Sequence, residues 1–154
     1  MDLFIIRHAH AVNAAEDPDR PLSSRGRNQI RRLARFLKKT HARPLAEVWH
    51  SPLARSRETA ELLVKRLHSN AKLAQIDGIE GDDEPAILAQ RLKTRRTDVA
   101  VVGHEPHLSA LLSLLISGEP ESAKFVLEKS AVVALERARG AWAVRWQISP
   151  EIVP

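Results

Sequence analysis

An α/β fold is what this sequence predicts: a three-layer α/β/α sandwich with a mostly parallel central sheet, an antiparallel edge and a C-terminal hairpin. Three observations carry that prediction. Leu3–Ile6 (LFII) and Val99–Val102 (VAVV) are unbroken apolar runs, the pattern of strands covered on both faces, as parallel strands are. Stretches with helical periodicity alternate with the strand-like runs, the order expected of layered α/β domains. The chain closes on SAVVALERARGAWAVRWQI, two stretches that read as a hairpin around Arg139-Gly140.

The first strand, Leu3–Ile6, runs into Arg7 and His8 and then into a polar loop, NAAEDPDRP. Ser23 is placed to cap a helix that extends to about Lys39. Within it Ile30, Leu33, Ala34 and Leu37 fall at i, i+3, i+4 and i+7, and the Arg and Lys residues take the outer face. AEVWHSP gives a short second strand ending near His50. A second helix, from about Leu53 to Leu67, has Ser56, Ala60, Leu63 and Leu67 on its inner stripe. LAQI is a third short strand and GIEGDDE a loop. Pro85 starts a helix through Leu92, because a first helical position needs no backbone N–H. The strand Val99–Val102 breaks at Gly103. Pro106 then opens a helix whose apolar face is Leu108, Leu111, Leu112 and Leu115, stopped by Gly118. In the hairpin Trp142, Val144, Trp146 and Ile148 alternate with Ala143, Arg145 and Gln147, so both tryptophans are expected on one face, as core.

Composition sets the outer bounds. The 154 residues suit a single domain, 1–154, long enough to bury a core. At 44% hydrophobic and 28% charged, the chain has the balance of a globular protein. Cysteine is absent, which removes disulfides and thiolate metal sites and fits a reducing, cytoplasmic setting. The start lacks a basic n-region, and its apolar run is too short for a signal peptide. LSALLSLLIS is broken by serines and falls short of the roughly 20 residues of a membrane span, so no membrane partner is expected. The net charge of +5 favours anionic partners. Much of it decorates the outer face of RGRNQIRRLARFLKK, and few aromatics are present to stack on bases. No nucleic-acid partner is expected, and the chain is expected to act as a monomer.

In such folds ligands bind beyond the carboxyl ends of the strands. The first strand delivers Arg7 and His8 to that edge. The second leads into HSPLARSRET, with Arg55 in the first turn of its helix. The later strand ends in Gly103 and His104, just before a helix N-terminus. Taken alone, His8 reads as a hydrogen-bonded structural histidine and Arg55 as a surface partner of Glu58. Three strands bringing two arginines and two histidines to one edge point instead to a site, since such a set is costly to bury without a ligand. Gly103 is expected to let the backbone approach that ligand.

Phosphate chemistry fits this set. Arginine forks match phosphate oxygens bidentately, and a helix N-terminus beside His104 adds N–H groups and partial positive charge. One neutral imidazole can attack phosphorus, while a second, if protonated, stabilises charge on the equatorial oxygens. There is no Walker-type loop and no acidic cluster suited to Mg²⁺, so side chains alone would neutralise the phosphate, with no cofactor and no metal. His10 and His107 extend the pattern to His-x-His and His-x-x-His, as in a metal-dependent hydrolase, but the arginine before His8 repels a cation. His41, His50 and His68 lie on or near polar stretches and are expected to be bystanders.

RHAHA after the first strand, SPLARSRETA after the second and VVGHEPHLS after the later one resemble the histidine phosphatase (phosphoglycerate mutase-like) superfamily. Within it the short chain is similar to the SixA-type phosphohistidine phosphatases, and the likeness extends through DPDRPLSSRGRNQ and the closing WQISP. The resemblance implies a hydrolase in which His8 forms a phosphohistidine intermediate. It implies that Arg7, Arg55 and His104 bind the phosphoryl group, with Arg20 as a further contact. Ala9 stands where the family usually has glycine. Larger members carry a carboxylic general acid after the third strand, and Glu80 and Glu105 are the candidates here. Short loops leave the site open, which suits phosphohistidine presented by a signalling phosphotransfer protein. A small phosphomonoester is the second expectation, and a non-catalytic phosphate-binding module a further alternative.

Overall fold

The two unbroken apolar runs lie side by side in a six-stranded sheet. The computed structural model describes residues 1–40, 44–121 and 124–153, so His41 lies outside the described residues. The elements are β1 (Asp2–Arg7), α1 (Ser24–Thr40), β2 (Glu47–His50), α2 (Ala54–Leu67), β3 (Lys72–Gln75), α3 (Pro85–Lys93), β4 (Val99–Gly103), α4 (His107–Ser117), β5 (Val132–Ala138) and β6 (Ala141–Ile148), followed by a 3₁₀ turn, Pro150–Ile152. The strand order is β3-β2-β4-β1-β5-β6. β2 pairs parallel with β3 and β4, and β4 parallel with β1; β5 runs antiparallel to β1 and forms the terminal hairpin with β6.

Side chains of β1 alternate between the two faces, as a strand dictates. Phe4 and Ile6 pack with Ile30, Leu33 and Leu37 of α1 and with Ala60 and Leu63 of α2. Leu3 and Ile5 pack with Leu88 and Leu92 of α3 and with Leu108, Leu111 and Leu112 of α4. The result is the expected three-layer sandwich. Among the described residues no helix is long and apolar enough to cross a membrane.

Ser23 caps α1, its Oγ accepting from Gly26 N–H at 3.1 Å. Gly26 has a second, less visible role. A Cβ there would stand 2.1 Å from the His10 carbonyl oxygen, so only glycine lets α1 seat under the loop leaving β1. Gln29 Oε1 then accepts from His10 N–H at 2.9 Å, latching the helix to a residue two places past His8.

Two expectations are corrected. β3 begins one residue earlier than LAQI, because pairing with β2 sets its register from Glu47↔Lys72 to His50↔Gln75. The two tryptophans do not share a face. Ala134 pairs with Trp146 and Leu135 with Val144, leaving Arg145 as an extra residue, and a bulge of this kind reverses the alternation beyond it. Trp142 therefore packs on the α3/α4 side, while Trp146 packs on the α1/α2 side against Phe36, with ring centroids 5.5 Å apart. A Cβ on Gly103 would lie 3.0 Å from Leu108 Cδ2 and 3.4 Å from the Ile79 carbonyl oxygen. Its smallness lets β4 pack close to α4.

Candidate active site

Because β1 and β4 are adjacent and parallel, with Arg7 opposite Gly103, the chain leaves the sheet at His8 and His104 side by side. His8 N–H donates to the Gly103 carbonyl at 3.0 Å. The two imidazoles are buried, with centroids 5.0 Å apart and planes tilted by 47°.

One hydrogen bond determines the tautomer of neutral His8. Its Nδ1 lies 2.8 Å from the Ala9 carbonyl oxygen, which can only accept, so Nδ1 carries the proton and Nε2 keeps its lone pair. Ala9 N–H donates to Thr59 Oγ1 at 3.0 Å, and that hydroxyl donates to the Arg55 carbonyl at 2.7 Å. The last residue of the SPLARSRET motif thus ties the first turns of α2 to the loop carrying His8. His104 Nε2 meets Ser51 Oγ at 2.6 Å, while its Nδ1 is buried with no partner among the described residues.

Burial pushes the His8 pKa down to about 3; the Ala9 hydrogen bond raises it, and His104, Arg55 and Arg7 lower it further. Burial also pushes His104 down to about 4, with Arg55, His107 and Arg7 adding to the shift. Both imidazoles of the protein alone are therefore neutral at pH 7. A phosphate dianion arriving between them reverses the sign of the local field and favours protonation. The acid limb of kcat/KM for the free enzyme is therefore expected below about pH 5 rather than near 6.5. A rate profile corrected for substrate ionisation tests this, and a limb centred at 6 or above contradicts it. The same shifts act on stability: the unfolded chain binds more protons in this window, so stability falls as pH drops from about 6.5 towards 4 and is unaffected by these groups above about pH 7.

Around the pair opens a cleft of about 580 Å³, lined by Arg7, Arg20, Arg55, Lys129, Glu80 and Glu105 among others. Arg7 Nη1 donates to the Leu127 carbonyl at 2.8 Å, but its Nε is buried without a partner among the described residues, as is that of Arg55. Burial lowers the Arg55 pKa, Arg20 lowers it further and Glu80 opposes the shift. The surface pair considered for Arg55 does not form. Glu58 instead accepts from Leu22 N–H at 3.0 Å and pairs with Arg27 at 3.3 Å. Arg20 has a left-handed backbone (φ 50°) and donates through Nε to the Val12 carbonyl at 3.2 Å.

Of the candidate acids, Glu105 accepts from the Ser109 hydroxyl through Oε2, and its Oε1 is buried with no partner among the described residues. Glu80 has its own N–H bound to Asp83 Oδ2 at 2.7 Å. His10 and His107 do not line the cleft with His8 and His104. His10 turns to Ser23 Oγ at 2.7 Å, and His107 is buried in α4. Among the described residues no three His, Asp or Glu side chains are grouped to hold a metal ion. His50 is buried, donating through Nδ1 to the Ser51 carbonyl at 2.9 Å, and His68 is exposed at the end of α2. Neither lines the cleft.

Two residues escaped the sequence reading. Ser51 lies inside a motif that was recognised, but only the β2–β4 adjacency reveals its bond to His104. Lys129 sits in a loop, LEKS, with no spacing signal at all; Ser130 N–H, donating to the Arg7 and His8 carbonyls at 3.1 and 3.2 Å, brings it to the cleft.

An α/β/α frame with two arginines and two histidines gathered at parallel strand ends suits a bound oxyanion. Residues 3–79, half of the chain, match the family model of the histidine phosphatase superfamily (branch 1), and the chain belongs to that superfamily. It is 27% identical to phosphohistidine phosphatase SixA of Escherichia coli (strain K12) over 155 residues, covering 97% of this chain and 94% of the relative. It also resembles the structure of the protein histidine phosphatase SixA complexed with tungstate, with a TM-score of 0.85, 26% identity and 97% of each chain covered. The alpha-ribazole phosphatase of Shigella flexneri shares the fold, with a TM-score of 0.75, 19% identity and 97% of each chain covered.

Proposed function

We propose that this protein is a phosphohistidine phosphatase working through a phosphoryl-His8 intermediate, as a cytoplasmic step in phosphotransfer signalling. The observation that carries this reading is His8 Nδ1 turned to the Ala9 carbonyl, which leaves Nε2 of the neutral ring unprotonated, beside two arginines whose buried Nε groups lack partners among the described residues. The SixA relatives support the substrate class, one of them complexed with tungstate, itself an oxyanion.

In this reading Arg7 and Arg55 grip the phosphoryl oxygens through charge-assisted hydrogen bonds. His8 Nε2 attacks phosphorus, and the P–N bond to the substrate imidazole breaks, its electron pair returning to that nitrogen. His104, protonated once the dianion is bound, donates through Nδ1 to a phosphoryl oxygen while Ser51 holds its Nε2. Water then attacks the phosphorus, the P–Nε2 bond breaks, and phosphate and neutral His8 are released.

Arg55→Lys keeps the charge and loses the planar fork. A fall in kcat/KM of about 10²–10³ is expected, the scale of one lost transition-state hydrogen bond; a drop under about threefold would make Arg55 structural.

The reading is tested by offering the purified protein a phosphohistidine protein, nucleotides and sugar phosphates, each with and without a strong chelator. Preference for phosphohistidine and indifference to the chelator are expected, because side chains supply the positive charge. A collapse restored by Zn²⁺ or Mn²⁺ would favour a metal hydrolase. Preference for a small phosphomonoester would favour the second reading, to which Glu80 and Glu105 in the cleft lining lend an acid.

A further inference from the structure

Two cations of the cleft, Lys129 and Arg20, are not used by the mechanism above. Lys129 is half-buried, and the backbone bonds of Ser130 to the Arg7 and His8 carbonyls hold it beside the end of β1. It forms no salt bridge or side-chain hydrogen bond among the described residues. The charges acting on it most are Arg7, Arg20, Arg25 and Arg55, and together with burial they hold its ammonium below the ordinary lysine range. Of these four, Arg25 alone has a carboxylate partner among the described residues, Glu151 at 3.4 Å.

The carboxylates of the cleft lie on its other side. Glu80, Asp82 and Asp83 belong to the loop before α3, which packs on Glu105 and Pro106 beyond β4. Lys129 enters from the loop before β5, across β1. Glu80 acts on Arg55. Arg7, Arg55 and His104 already suffice for one phosphoryl dianion. A further ammonium held among like charges, partly out of water, is unfavourable unless a second negative group offsets it.

We propose that Lys129, with Arg20 beside it, forms a second anion subsite that takes a carboxylate neighbouring the phosphoryl group of the substrate. That carboxylate is an aspartate or glutamate side chain flanking a phosphohistidine, or the acid group of a small phosphorylated molecule. The proposal rests on the reading that Arg7, Arg55 and the histidines hold the phosphoryl group.

Binding separates the two claims without needing turnover. In the His8→Ala protein, calorimetry at low salt compares methyl phosphate, which has one anionic group, with phosphoglycolate, which has two. Phosphoglycolate is expected to bind about tenfold tighter, the scale of one partly desolvated charge pair. Lys129→Gln is expected to remove that advantage while weakening methyl phosphate far less. Equal affinity for both ligands overturns the proposal. So does an equal loss for both in Lys129→Gln, which would place Lys129 on the phosphoryl group itself. If neither ligand binds, the phosphoryl reading falls and this proposal with it. Phosphohistidine peptides with aspartate or asparagine beside the modified residue identify the source: an advantage for aspartate assigns the subsite to a protein substrate, and its absence alongside a phosphoglycolate advantage assigns it to a small molecule.

Discussion

His8→Ala is expected to lower turnover of a phosphohistidine protein by at least about 10⁴-fold, the cost of deleting a covalent nucleophile. The effect should be chemical rather than structural. Among the described residues the His8 ring hydrogen-bonds only its neighbour's carbonyl, while the contacts that seat the loop run through the backbone of residues 8 and 9 and through Thr59. A thermal melt of the variant close to that of the parent would confirm that division. The wild-type protein, quenched during turnover of a labelled substrate, should retain acid-labile, alkali-stable phosphate that maps to His8. Label on another residue, or near-normal activity in the alanine variant, would sink the proposed mechanism. Burial favours the nucleophile at neutral pH because it keeps the imidazole unprotonated. An exposed histidine near its ordinary pKa would lose part of its nucleophile to protonation in the same range.

How far the sequence could take this conclusion depends on the range of the interactions involved. β1 and β4 were legible because both faces are covered, so the hydrophobic pattern is continuous. The start of α1 was legible because capping is local, and Ser23 does what its position suggests. His8, Arg55 and His104 were legible as a set because each follows a strand end, and strand ends of a parallel sheet point the same way. What escaped is non-local. The bulge at Arg145 turns on how β5 and β6 pair, not on either strand's own alternation. The demand for glycine at position 26 exists only where α1 meets the His10 carbonyl. Lys129 is remote from β1 in sequence and reaches the cleft through backbone bonds of a loop. The charge state of His104 needed its depth and the two arginines beside it. A motif names the residue without giving its protonation state.

The choice of leaving group follows from the carboxylates of the cleft, and it is the second large effect expected. An alkyl phosphoester releases an alkoxide, which needs a proton from a placed acid; such help is worth about 10²–10⁴ in rate. Phosphohistidine releases an imidazole that can take a proton on its other nitrogen before the P–N bond breaks, so it leaves without that help. Both candidate glutamates already interact with other groups. Glu105 is engaged by the Ser109 hydroxyl and has its other oxygen buried, and Glu80 is close enough to Arg55 to oppose the lowering of its pKa. The kcat/KM for a phosphohistidine protein is therefore expected to exceed that for any alkyl phosphoester by about 10²–10⁴. Glu80→Gln and Glu105→Gln should each change the phosphohistidine rate by less than about threefold, since no proton is drawn from either. Steady-state assays of the parent and both variants on the two substrate classes test this directly. If either glutamine variant lost most of its activity on phosphohistidine, that glutamate would be the acid, and the preference for an N–P bond would lose its physical basis.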